Sequence, residues 1–270
     1  MNALCQMTGV SRAGYYRWLA PRQALPVEME IRDEMQKVAL EWPAYGYRRI
    51  TVELQYRGFE VNHKRVLRMM REDNLLCVRR KPFNIVTTDS RHNLPVYPNL
   101  AAELVPTRVN QLWIADLTYI RLRAEFVYLA VVLDAFSRRV IGWALGRTLE
   151  ARLAVAALDM ALEERKPPPG FVHHSDRGIQ YASQEYTQRL QQHQSRISMS
   201  RKGNPYDNAA CESFMKTLKY EEVYRNEYRD YAEALACIGT FLEQVYNQRR
   251  LHSALGYLPP AEFENGAVSS

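Results

Sequence analysis

Hydrophobic and polar positions follow two different patterns along this chain, and the change between them marks its organisation. From residue 111 onward, short apolar runs bounded by breakers dominate. Gln111-Leu-Trp-Ile-Ala-Asp-Leu-Thr-Tyr-Ile-Arg121 is too short and too rich in β-branched and aromatic residues for a core helix, so it reads as a central strand. The same criteria predict strands near 126–134, 138–146, 170–175 and 196–199, with helices near 150–165, 183–193, 207–224 and 230–249. Strands come first, then helices and strands alternate. That order is consistent with an α/β body built on a five-stranded mixed sheet with helices on both faces.

The front of the chain carries helical signals instead. Ala3-Leu4 opens the first, Thr8-Gly9-Val10 supplies a turn, and Ser11 is a good N-cap for Arg12-Ala-Gly-Tyr-Tyr-Arg-Trp18, on which Arg12, Tyr15 and Arg17 are candidate DNA contacts. A second pair runs from Tyr47 to Arg57, through Gly58-Phe-Glu-Val61, to a segment starting at Asn62 and ending at Arg71. Asn62 can cap the latter helix. Lys64, Arg68 and Arg71 recur on one face, and Val66, Leu67 and Met70 supply the apolar side. This spacing suits a recognition helix, although a small helical hairpin packed on a neighbour produces the same pattern. The expected organisation is therefore a partial helix-turn-helix-like segment over 1–20, a helical DNA-binding domain over 21–81, a linker over 82–107, a catalytic domain over 108–259, and a tail over 260–270. Pro82, Pro95, Pro98 and Pro106, with little periodicity around them, make the linker extended.

Charge sharpens the division. Of 36 Lys and Arg and 30 Asp and Glu, residues 1–110 hold 17 and 11, while residues 111–270 hold 19 of each, so the whole net charge of +6 lies in the front. A basic front and a balanced rear suggest a DNA-gripping segment joined to a catalytic body, or merely a basic solvated face. At 270 residues, with 47% hydrophobic and 24% charged residues, the composition is that of an ordinary globular chain. Cys5, Cys77, Cys211 and Cys237 stand far apart and form no CxxC or Cys/His finger, which argues against a zinc module or a disulfide framework. No apolar stretch has membrane-spanning length, and the start lacks the basic and apolar regions of a signal peptide, so a cytoplasmic, nucleoid-associated bacterial protein is expected.

Three acids carry the candidate chemistry. Asp116 lies inside the first strand, Asp176 follows the apolar run Gly170-Phe-Val-His-His-Ser175 at a strand end, and Glu212 stands just inside a helix after the breaker-rich Lys202-Gly-Asn-Pro-Tyr-Asp207. Taken singly, each acid reads as a turn, cap or surface residue. Brought together they would repel one another unless cations sat between them, and all-oxygen donors select hard ions such as Mg2+ or Mn2+. Two such ions suffice for phosphoryl transfer. His173 and His174 could suggest a zinc hydrolase, but a two-His site wants a helical i, i+4 pair or another nearby His, and neither is present. Ser175 and Ser213 adjoin motif acids without any Ser-His-Asp arrangement, so no covalent route is indicated.

The residues around those acids resemble a known family. Trp113-Ile-Ala-Asp116-Leu-Thr-Tyr-Ile, His174-Ser-Asp176-Arg-Gly-Ile-Gln-Tyr181 and Asn204-Pro-Tyr-Asp-Asn-Ala-Ala-Cys-Glu212 look like the DDE signature of integrases and transposases, and 35 residues intervene between Asp176 and Glu212, matching the family's second spacing. The likeness is greatest to the OrfB transposases of two-frame insertion sequences, the IS-three group. It extends through Leu133-Asp-Ala-Phe-Ser-Arg-Arg-Val-Ile-Gly-Trp143 to Tyr246-Asn-Gln-Arg-Arg-Leu-His-Ser-Ala-Leu-Gly256.

The resemblance implies an RNase H-like fold of the retroviral integrase type, in which the strands bearing Asp116 and Asp176 are neighbours and Glu212 leans in from the following helix. It implies Asp116, Asp176 and Glu212 as ligands of two Mg2+ (or Mn2+) ions. Lys219 matches the basic residue that these transposases place seven residues after the glutamate, and Lys216 stands one turn along the same helix; an ordinary solvated Glu-Lys pair is the alternative. DNA contacts are expected from Arg177, Gln180 and Tyr181 on an exposed loop, from Lys202 in the loop before Glu212, and from Arg249 and Arg250, with His252 in the same cluster. Asn208 either touches DNA or caps the Glu212 helix. The implied activity is a DNA transposase that cleaves the element at its 3′ ends and transfers the strand by direct phosphoryl transfer. Its implied partners are the insertion-sequence ends, target DNA, further copies of the chain, and an upstream-frame protein or frameshift fusion that would complete the thin first ten residues. A nuclease of the same fold, or a non-catalytic DNA-binding regulator, are the competing expectations. The paired helix-turn-helix signals and Lys219 disfavour the first, and the intact acid set the second.

Overall fold

The computed structural model describes residues 5, 7–9, 11–19, 26–77, 94–201 and 208–268, and the chain divides into two compact units, Met1–Cys77 and Val78–Ser270. Ala3, Leu4, Val10, the side chain of Arg17 and the loop with Lys202 fall outside the described residues.

In the first unit, α1 (Arg12–Leu19) starts where its cap predicts, with the Ser11 hydroxyl accepting from the Gly14 N–H at 3.0 Å. Next comes α2 (Pro26–Glu41), whose Ile31, Met35 and Val38 recur at helical spacing and are buried. Ile50 and Leu54 of α3 (Tyr47–Tyr56) and Val66, Met69 and Met70 of α4 (His63–Glu72) are buried as well, and α3 packs against both α2 and α4. Gly58 turns the chain between α3 and α4 at φ +89, a conformation that costs glycine little. Asn62 accepts from the Arg65 N–H at 2.9 Å and caps α4 as expected. One expectation is corrected here: Lys64 and Arg71 are exposed, but Arg68 bonds to Glu72 and Glu28, which also hold Arg32. Arg68 therefore belongs to a carboxylate network on the helix surface rather than to a free basic face. Met69, not the half-buried Leu67, completes the apolar side.

In the second unit, β1 (Leu112–Arg121), β2 (Phe126–Asp134) and β3 (Val140–Gly146) form an antiparallel meander, and β4 (Val172–Ser175) and β5 (Arg196–Met199) add in parallel beyond β1. The resulting order is β3-β2-β1-β4-β5, the expected five-stranded mixed sheet. Alternation along β1 sends Leu112, Ile114 and Ile120 to one core, shared with α8 (Ala209–Leu218), α9 (Tyr231–Thr240) and a π segment, Phe241–Tyr246. Trp113 and Ala115 face the other core, with α5 (Ala151–Arg165), α6 (Ile179–Ala182) and α7 (Gln184–Gln192). Helix α5 lies very close to the sheet at Gly142, where a Cβ would stand 2.2 Å from the Ala157 carbonyl oxygen.

Two expectations about the ends of this unit are overturned. Residues 94–107 of the supposed linker lie on the body: Leu94 and Tyr97 pack against one core and Leu100 and Leu104 against the other, while the Leu100 N–H donates to Ser198 Oγ at 2.8 Å. The supposed tail contains α10 (Pro260–Val268), whose buried Glu264 accepts from Ser137, Arg139 and both terminal nitrogens of Arg165. A carboxylate taken out of water needs such partners. Here all of them lie about a hundred residues or more upstream.

Candidate active site

The parallel pairing of β1 with β4 sets the two aspartates level. The register runs Leu112 to Val172, Trp113 to His173 and Ile114 to His174, so two residues further on Asp116 stands beside Asp176, just past the end of β4. Asp116 belongs to the alternating set of Ile114, which points it toward the α8 side of the sheet. Helix α8 starts there, held by the buried Cys211 thiol against the Ile114 carbonyl oxygen at 3.6 Å, and its next residue is Glu212. The three acids thus arrive from β1, the end of β4 and the first turn of α8.

They are not equally close. Asp116 keeps some surface open to solvent, yet its carboxyl group is sunk among protein atoms. Burial first, then the neighbouring Asp176 carboxylate and more weakly Glu212, push its pKa up to about 7, against the Leu117 N–H bond at 2.8 Å and the charge of Lys219. Asp176 accepts from the Gly178 N–H at 2.8 Å. Glu212 has an exposed side chain, with Lys216 Nζ 3.9 Å from its Oε2, which is the solvated Glu-Lys pair that helix spacing allows. Among the described residues no three His, Cys, Asp or Glu side chains converge closely enough to hold an ion together. The site is a pair of neighbouring aspartates, with a glutamate whose charge Asp116 feels more weakly. Its acidic donors are all oxygens, which fits a hard divalent cation.

Beyond Glu212, α8 passes into a π segment, Lys219–Val223, and half-buried Lys219 lays its ammonium over the Tyr119 ring, 4.4 Å from the centroid. Burial lowers its pKa, with the Asp116 charge acting against that shift. Arg177 is anchored by the Ser200 carbonyl oxygen at 2.8 Å. Arg12 and Arg249 are exposed, and Tyr15 is half-buried.

Three further expectations need correction. Tyr181 and Gln180 are buried in α6, not on an exposed loop, and Tyr181 meets the Tyr186 ring edge-on at 5.2 Å. Asn208 is buried at the start of α8 and its side chain makes no capping bond. Arg250 is 3% exposed and grips Glu221 through two bonds of 2.6 Å. The Tyr246-Asn-Gln-Arg-Arg run is accordingly an internal clamp: Asn247 bonds both the N–H and the carbonyl of Val140 on the sheet's edge strand, and Arg250 fixes the π segment after α8. Periodicity could not reveal this, because the partners are remote in the chain. The two histidines are buried in polar contacts, His173 Nε2 with the Tyr186 hydroxyl at 2.9 Å and His174 Nδ1 with Ser198 Oγ at 2.8 Å. Burial holds the pKa of His173 down to about 3.

Comparison with known proteins accords with this layout. An integrase core domain family matches residues 106–205, a second integrase core domain family matches residues 193–260, and an HTH-like domain family matches residues 26–83. An uncharacterized 31 kDa protein of insertion element IS600 from Shigella sonnei is 40% identical over 96% of this chain and 97% of its own length. The transposase InsF of insertion sequence IS3A from Escherichia coli strain K12 is 37% identical over 98% and 94%. A chain of the simian T-cell lymphotropic virus intasome in complex with PP2A regulatory subunit B56 gamma, 17% identical, superposes with a TM-score of 0.50 over 85% of this chain and 74% of that one. At that identity the likeness is one of fold, the RNase H-like fold of retroviral integrases. Identity of this extent to the insertion-sequence proteins places the chain in a family: it belongs to the transposases of the IS3 group, with an integrase core behind an HTH-like domain.

Proposed function

We propose that this transposase cleaves the 3′ ends of its insertion sequence and joins them to a new phosphodiester by direct phosphoryl transfer, with Asp116, Asp176 and Glu212 as the catalytic acids. The observation that carries this reading is the register of β1 against β4, which sets Asp116 and Asp176 side by side. Two carboxyl groups side by side at a sheet end repel one another once both are ionised, and a divalent metal between them would relieve that repulsion. Bound there, Mg2+ or Mn2+ ions, two in the full site, would activate the attacking water or 3′-hydroxyl and stabilise the leaving oxygen.

The chain's own residues do the rest. Asp116 and Asp176 offer oxygens on carboxyl groups that each accept a backbone N–H, from Leu117 and Gly178 respectively. Glu212 joins them by giving up its exposed pair with Lys216, a change of only about 0.3–0.5 kcal/mol. Lys216 and Lys219 then meet phosphates beside the acids, and Arg177, Arg249 and the basic residues of the first unit, Arg12, Lys64 and Arg71 among them, hold DNA further away. Because cleavage and joining act on two ends, the working form is an assembly of several copies on DNA, with or without an upstream-frame partner.

A strand-transfer assay with a labelled element end tests this, using Asp116→Asn, Asp176→Asn and Glu212→Gln. Joined product that requires Mg2+ and vanishes in all three variants is the expected outcome. Cleavage without joining would indicate a nuclease, and binding with no metal-dependent product a regulator.

A further inference from the structure

A cleft of about 410 Å3 opens between the β1–β2 hairpin and the π segment after α8. Its wall combines two features. Arg121 and Arg123 are exposed there, and among the described residues neither has an ion-pair partner. Phe126 leaves 44% of its surface in water at the start of β2, with the Tyr119 ring edge-on to it at 6.1 Å. An exposed aromatic face beside unmatched guanidinium groups is a costly surface for a protein to keep bare.

We propose that this cleft is a nucleotide subsite, taking one unpaired base against Phe126 while Arg121 and Arg123 hold the phosphates on either side of it. Its size is that of small-molecule pockets, roughly 300–1,000 Å3, so a base must leave the duplex to enter. A π-face accepts any base, and the arginines supply charge without reading sequence. Lys219 lines the same cleft and is close enough to Asp116 for each charge to be felt by the other, so a strand leaving the aspartate pair reaches the cleft directly. Glu227, the acidic residue on the rim, faces the same space and can accept from an exocyclic amine. The subsite rests on the reading of the aspartate pair as a DNA-cleaving centre, and it implies that the end of the element is frayed when bound.

The test uses the full chain in EDTA, so that binding is read without chemistry. Affinities are measured for a blunt duplex and for the same duplex carrying a short unpaired extension with 2-aminopurine at its first position. The wild type is expected to favour the extended duplex about tenfold, with a change in 2-aminopurine fluorescence on stacking. Phe126→Leu, which removes the ring but no charge, should abolish both the preference and the fluorescence change while the blunt duplex still binds. Arg121→Ala with Arg123→Ala should lower the slope of log affinity against log salt by about one for each arginine. Equal binding of the two duplexes by the wild type, or a preference that survives Phe126→Leu, overturns the subsite. A failure of the catalytic reading shows separately, in the strand-transfer assay with Mg2+, as joined product that persists in Asp116→Asn.

Discussion

Replacing Asp116 with Asn should stabilise this protein in the absence of metal, and the size of the effect follows from the burial of its carboxyl group beside Asp176. The Asp116 carboxyl pKa stands at about 7 in place of 3.8, so the folded chain holds a proton that the unfolded chain has already released. Between those values the unfolded state binds fewer protons, and stability falls as pH rises, by about 1.36 kcal/mol for each unit. The full difference is about 4 kcal/mol above pH 7. The surface that Asp116 still shows to solvent screens part of it, so about 2–4 kcal/mol is expected. Asn keeps the acceptor for the Leu117 N–H and has no charge to bury. At about 2–4 °C for each kcal/mol, Asp116→Asn should melt roughly 4–16 °C higher than wild type at pH 8 in EDTA, with the gap closing near pH 4. Saturating Mg2+ should raise the wild type and leave the variant nearly unchanged, through mass action on the folded state alone. Calorimetry at several pH values measures all of this. A variant that melts lower than wild type at pH 8, or a gap independent of pH, would refute the argument from a buried carboxylate beside a like charge.

Other consequences are open to the same kind of measurement. Glu264→Ala leaves Arg165 and Arg139 without their buried carboxylate and should cost about 3–5 kcal/mol in denaturant unfolding; a loss below about 1 kcal/mol would mean that α10 is held by apolar contacts alone. Gly142→Ala drives a methyl into the Ala157 carbonyl and should lower stability by about 1–3 kcal/mol or more, a result disproved by an unchanged melting temperature. Tyr186→Phe removes the hydroxyl beside His173 Nε2 and should cost about 1–3 kcal/mol, whereas a neutral change would show that the ring nitrogen finds another partner.

Much of the second unit is legible in the chain because its strands are short apolar runs separated by breakers. The bounds expected for β1, β2 and β5 differ from those observed by at most one residue. The sites of Asp116 and Asp176 follow from the same pattern, since a polar residue inside or just after such a run falls at a strand's end or face. What the pattern hides is partnership at a distance. Arg250 looks like surface charge until Glu221 is found beside it, and Glu264 looks like part of a loose end until it meets Arg165. Tyr181 follows a Gly in a polar stretch and reads as exposed, but the short helix α6 turns it into the core. Helix α2 shows the converse: its apolar positions are periodic, yet Pro26 and a run of charges obscure where it begins.

The π segment Lys219–Val223 bears on how the chain tolerates insertion and deletion. It slips an additional residue into a helix whose two sides have separate duties, Lys219 over Tyr119 on one and Glu221 with Arg250 on the other. Deleting a single amino acid there would restore a regular spiral and leave the flanking turns in phase, since the wide turn absorbs the extra residue locally. A one-residue deletion should therefore be tolerated better here than in the regular helix before it, whose later residues it would turn by about 100°.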